Sequence, residues 1–105
     1  RAIDRVRTCA DMPQVRRAID ALDDQLVPLL VTRAGYMTQA ARIKRRPEEV
    51  RDEARIEAIV QRVRARAAAE GGAPELIEAI YRAMMEACID YEQREFERLR
   101  AGEPS

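Results

Sequence analysis

The chain has 105 residues, enough for one small domain with a single hydrophobic core. Charged residues make up 36% and balance at 19 basic against 19 acidic, which argues against a polyanion-binding arm and against an acidic tail. Histidine is absent and the two cysteines, Cys9 and Cys88, stand far apart. That excludes a Ser-His-Asp triad, a Cys-His pair, a CxxC motif and ordinary zinc sites, so no metal is expected. The basic side is lopsided: 18 arginines and one lysine, Lys44. No run of 18 apolar residues occurs, so no membrane span is expected. Two distant cysteines suggest a reducing compartment or an indifferent one; the expected location is the cytoplasm, with an exported form left open.

Helix is the expected element throughout, because Ala, Arg, Glu and Leu dominate. Residues 1–11 show no clear periodicity and are expected to be a flexible lead-in. Asp11-Met12-Pro13-Gln14 reads as a helix start, with Asp11 as cap and Pro13 in the first turn. Apolar residues then recur at Val15, Ile19, Leu22, Leu26, Leu29, Met37 and Ala40, which is one face of a long helix. It should end near Arg46, ahead of Pro47. Such a helix of ~35 residues would be ~50 Å long. A compact chain of this length has a diameter of ~26 Å, so the helix needs a partner chain to cover its seam. Pro28 sits inside the run; the pattern stays in phase across it, so a kink is expected rather than a break into two helices.

Pro47-Glu48-Glu49 is expected to open a second, shorter helix with apolar face Ile56, Ile59, Val60, Val63 and Ala67. Gly71-Gly72 should end it and Pro74 should open a third. The third stripe runs through Ile77, Ile80/Tyr81, Met84/Met85, Cys88, Phe96 and Leu99. The expected fold is therefore all-α: long, shorter and long helices over residues 12–100, with a tail from 101 to 105.

Each stripe carries charge where apolar side chains belong. On the first helix Arg33 and Lys44 fall on the stripe, 11 residues or three turns apart, and share a face. On the third, Glu92 lies between Cys88 and Phe96. On the second, Asp52, Arg55, Ile56 and Ile59 are neighbours at helical spacing. A buried cation without an anion is costly, so each needs a partner. Two readings stay open on periodicity alone: an internal salt-bridge network, or a cation-rich pocket for a small anionic ligand. Arg16 lies ~26 Å along the helix from Arg33. The two reach one small ligand only if Arg16 comes from another chain, as a two-fold pairing of the long helix would allow, or if the helix folds back at Pro28.

The segment VRRAIDALDDQLVPLLVTRAGYMTQAARIK, residues 15–44, resembles the first helix of the all-helical, type II chorismate mutase family. The matching positions are Arg16, Ile19-Asp20-Ala21-Leu22-Asp23, Leu29-Leu30-Val31-Thr32-Arg33, and Lys44 eleven residues on. The Asp-x-x-Arg signature follows at Asp52 and Arg55. The resemblance covers about residues 12–98. It implies a cofactor-free rearrangement of chorismate to prephenate, on the way to phenylalanine and tyrosine, in an intertwined homodimer. It implies that Arg33 and the partner chain's Arg16 clamp the substrate carboxylates. Lys44 would contact a carboxylate and the ether oxygen, Asp52 the ring hydroxyl and Arg55 a carboxylate, with Cys88 near the substrate.

Two positions depart from the pattern. Ile56 stands where the family often has a hydroxyl-binding Glu. Glu92 stands where it often has Gln, and must be protonated to donate to the ether oxygen. An isochorismate-pyruvate lyase on the same scaffold is the nearest rival, and a non-catalytic helical dimer holding a small anion or protein is a further one. The Arg62-Arg64-Arg66 run has no interleaved aromatics and is expected to be a solvated face, not a nucleic-acid site. The family includes exported members, and the chain begins at Arg1 rather than Met.

Overall fold

The computed structural model describes residues 1–102 and is all-helical, with no strand among them. Helix α1 spans Met12–Ile43, α2 spans Glu53–Ala69 and α3 spans Pro74–Arg100, with short 3₁₀ turns at Ala2–Arg5 and Pro47–Glu49. The tail expected from residue 101 lies, for 103–105, outside the described residues.

The start of α1 follows its capping chemistry. The Asp11 side chain accepts from the Gln14 amide at 3.0 Å, and the Gln14 side chain accepts from the Ala10 amide at 2.8 Å. The helix is continuous through Pro28, so the break into two helices does not occur. It ends at Ile43, three residues before the expected point, and Lys44 is already extended (φ −65°, ψ 145°).

Pro47 opens a 3₁₀ turn rather than α2, which corrects the expected start of the second helix. The turn drops Val50 into the interior at 4% exposure. Asp52 then caps α2, its Oδ1 accepting from the Arg55 amide at 3.0 Å. The local helix-start signal at Pro47 is real, but burying Val50 and capping at Asp52 move the helix six residues on. Helix α2 closes through Gly71, whose φ of +79° suits only glycine without strain. A Cβ there would run into the Ile3 side chain. Ile3 is held over this turn by a bond from its amide to the Glu70 carbonyl at 3.1 Å.

Helix α3 is the spine, packing against both α1 and α2. The α2–α3 contact is hydrophobic, built on Ile59, Val60, Val63 and Met85 with Ile56, Ile77 and Tyr81 against them. Helix α1 contributes a single fully enclosed residue, Ala41. Its N-terminal half stands clear: Ile19 is 50% exposed, Leu22 63% and Leu29 67%. The molecule is accordingly elongated, 63 × 27 × 17 Å.

Polar bonds attach α1 to α3. Thr38 donates to Glu95 at 2.7 Å, and Arg98 and Tyr91 also converge on that carboxylate. The Arg98 guanidinium first, and Thr38 after it, hold the Glu95 carboxyl down to about 2 from an ordinary 4.5. A depressed carboxyl stabilises the fold fully above its unfolded value and loses that contribution as pH falls toward its folded one. Stability should therefore fall on acidification from about pH 4.5 toward 2. Glu95→Gln should remove part of that dependence while lowering the denaturation midpoint at pH 7. An unchanged acid limb in the variant would show that Glu95 does not couple the two helices.

Candidate active site

The C-terminal half of α1, the 44–52 connection, the first half of α2 and the second half of α3 enclose a cavity of about 470 Å³. Arg33, Lys44, Asp52, Arg55, Ile56, Cys88 and Glu92 all line it. Arg16 does not: it lies on the exposed half of the continuous α1, ~26 Å along the helix from Arg33. The fold-back at Pro28 that could have brought it home is absent.

Lys44 and Glu92 form the most enclosed ion pair of the site, Nζ to Oε2 at 2.8 Å. Glu92 is a buried charged residue, 4% exposed. An unpaired carboxylate at that depth would be strongly unfavourable, so the pair is a requirement of the position. Lys44 also donates to the Val50 carbonyl at 3.5 Å. Arg33 points Nη1 at the Cys88 sulfur, 3.3 Å away, a weak acceptor that leaves its charge uncompensated. Asp52 spends one oxygen on the α2 cap and lies at the positive end of that helix.

The salt-bridge network that the stripe charges suggested reduces to one pair. Among the described residues neither Arg33 nor Arg55 is in an ion pair. The sequence pattern groups Arg62 with Arg64 and Arg66 as a solvated run, which the structure corrects for Arg62. Arg64 pairs with Glu78 at 2.7 Å and Arg66 with Glu70 at 2.8 Å, whereas Arg62 lines the cavity. The usable signal was its spacing: seven residues after Arg55, two turns along one face. The cavity thus has four cations and two carboxylates, one of them already matched by Lys44. Met37, Ile59, Met85 and Ile89 supply an apolar floor that lowers the local dielectric and strengthens those charges.

Fold and cavity together define an all-helical protein with a cation-lined site of metabolite size. The sequence profile of the family described as chorismate mutase type II matches residues 15–93, about three-quarters of the chain, and the chain belongs to that family. No curated protein matches it.

The uncompensated guanidinium groups should take up small dicarboxylates. Arg33→Ala and Arg55→Ala should each weaken such binding by roughly 10- to 100-fold, the worth of a charge-assisted hydrogen bond. Titration calorimetry with an aromatic or cyclohexadienyl dicarboxylate checks this, and unchanged affinity in both variants would remove the cavity as an anion site.

Proposed function

We propose that this protein is a chorismate mutase, which rearranges chorismate to prephenate on the route to phenylalanine and tyrosine, and works as a homodimer. The observation that carries the reading is the convergence of Arg33, Lys44, Asp52, Arg55 and Glu92 on one cavity in a chain of this family.

The reaction is an intramolecular Claisen rearrangement. The ether C–O bond breaks as a C–C bond forms, with no nucleophile and no obligatory proton transfer. The protein has two tasks: to hold the substrate folded in its reactive conformer, and to stabilise charge that grows on the ether oxygen. Arg33 and Arg55 bind carboxylates with planar forks of donors. Lys44 brings a compact ammonium to the ether oxygen, kept inside the cavity by Glu92. Glu92 donates to the same oxygen only in its protonated form, which gives up the ionic pairing with Lys44 for a neutral hydrogen bond. Asp52 has one carboxylate oxygen left over from its capping bond to accept from the ring hydroxyl.

Arg16 completes the carboxylate clamp from the partner chain. The exposed stripe Ile19, Leu22, Leu26 and Leu29 is the surface that a second α1 covers, and a two-fold antiparallel pairing carries each Arg16 toward the other chain's Arg33 and Lys44. The two free cysteines agree with a reducing, cytoplasmic setting.

A second reading rests on Ile56, which lines the cavity where a hydroxyl-binding glutamate is common in the family. An apolar side chain there suits an isochorismate-pyruvate lyase. Separate incubation with chorismate and with isochorismate distinguishes prephenate formation from release of pyruvate and salicylate. Turnover of neither leaves a non-catalytic helical dimer.

Lys44→Ala should lower kcat on chorismate at least ~100-fold, the scale of one lost donor at a developing oxyanion. Near-normal turnover would sink the assignment. Arg16→Ala and Lys44→Ala chains, each nearly inactive alone, should regain activity when refolded together, because the mixed dimer holds one site with both cations. Absence of complementation would place Arg16 outside the site.

A further inference from the structure

The last four carbonyls of a helix have no donor within it, and their partners decide where the chain goes next. At the end of α1, the Ala40 carbonyl accepts from the Lys44 amide at 2.9 Å. Ala41 is fully buried, so its carbonyl cannot turn to water. It accepts instead from Arg100 Nη1, on α3, at 3.1 Å. The other arm of the same guanidinium, Nη2, donates to the Lys44 carbonyl. Arg100 is itself fixed: Nη1 also donates to the Phe96 carbonyl at 3.2 Å, and the guanidinium lies 3.5 Å from the centre of the Phe96 ring.

Glu92, Phe96 and Arg100 follow at four-residue intervals along one face of α3. Lys44 is therefore gripped twice by one helix, its ammonium by Glu92 and its backbone by Arg100. We infer that Arg100 is a positioning residue for Lys44, setting the direction in which its side chain enters the cavity. The inference rests on the reading that Lys44 meets the reacting oxygen. Lys44 has a long, flexible stem, and an ammonium tethered only at its tip is free to shift with its backbone. Displacement by ~1 Å at a reacting centre costs as much as ~100-fold in rate. The planar fork of an arginine reaches two separate carbonyls at once, which a lysine's point charge does not do. A cation there also complements the negative end of α1.

Lys44 is the single lysine of the chain, so reductive ¹³C-methylation gives one lysine resonance and keeps its charge. The test compares the full-length protein with Arg100→Leu, Arg100→Lys and, as a control, Arg98→Leu. Arg100→Leu should move the Lys44 methyl resonance toward that of free dimethyl-lysine, and Arg98→Leu should not. On chorismate, Arg100→Leu should lower kcat about 10- to 100-fold with KM changed less than about threefold. Arg100→Lys should fall between it and the native chain. Added to Lys44→Ala, Arg100→Leu should cost less than about twofold more, since the residue it positions is gone.

An unmoved resonance overturns the inference whatever the kinetics. So does an equal loss of kcat in the native and Lys44→Ala backgrounds, which marks a merely structural role. A moved resonance in a native chain that does not turn over chorismate upholds the positioning and defeats the functional reading alone.

Discussion

A carboxylate as deeply buried as Glu92 has to meet a cation, and the cation it meets is on another helix. That requirement ties the end of α1 to α3. Helices α2 and α3 hold each other through Ile59, Val60, Val63 and Met85, but α1 has no comparable core of its own. It is attached through Lys44 to Glu92, through Thr38 to Glu95, and through the Ala41 and Lys44 carbonyls to Arg100. Hydrophobic contact is non-directional and would draw the three helices together. Hydrogen bonds act at fixed lengths and angles, and hold α1 beside α3 with a cavity left between the elements.

Much of this was legible in the residues, for reasons that differ by element. The three helices follow from apolar spacing, and their starts at Asp11 and Pro74 from local capping rules. Arg33 and Lys44 share the cavity because three turns of a regular helix return to nearly the same face, a property of the backbone alone. What escaped depends on tertiary contact. Pro47-Glu48-Glu49 satisfies the rules for a helix start, yet Val50 must reach the interior and Asp52 caps the helix that follows. Arg62 is separated from Arg64 and Arg66 only by which carboxylates α3 and the Gly71 turn present to them. Arg100 looks like any basic residue in a last helical turn until α1 is laid alongside.

The charge balance of the whole chain conceals a local asymmetry. Among the described residues six arginines outside the cavity pair with glutamates, including Arg51 with Glu86, Arg82 with Glu57 and Arg64 with Glu78. Those pairs are largely exposed and contribute little to stability. What sets Arg33, Arg55 and Arg62 apart, in a protein with zero net charge, is that they converge on one cavity with an apolar floor. Such a site suits a reaction whose demands are orientation and charge stabilisation, with no group that must give or take a proton along the way.

Pro28 has a consequence for which side of α1 stays wet. It has no N–H, so the Asp24 carbonyl one turn earlier lacks a helical donor and must find water. At 100° per residue, position 24 lies about 180° around α1 from the line through Val15, Leu22, Leu26, Leu29 and Arg33. The wet carbonyl thus sits on the back of the apolar stripe. A helix covering the stripe leaves it in solvent, whereas one packed on the back would dry it out at a cost of about 1–3 kcal/mol. Were a second α1 to cover the stripe, this carbonyl would keep its water, so Pro28 places no obstacle to such a pair.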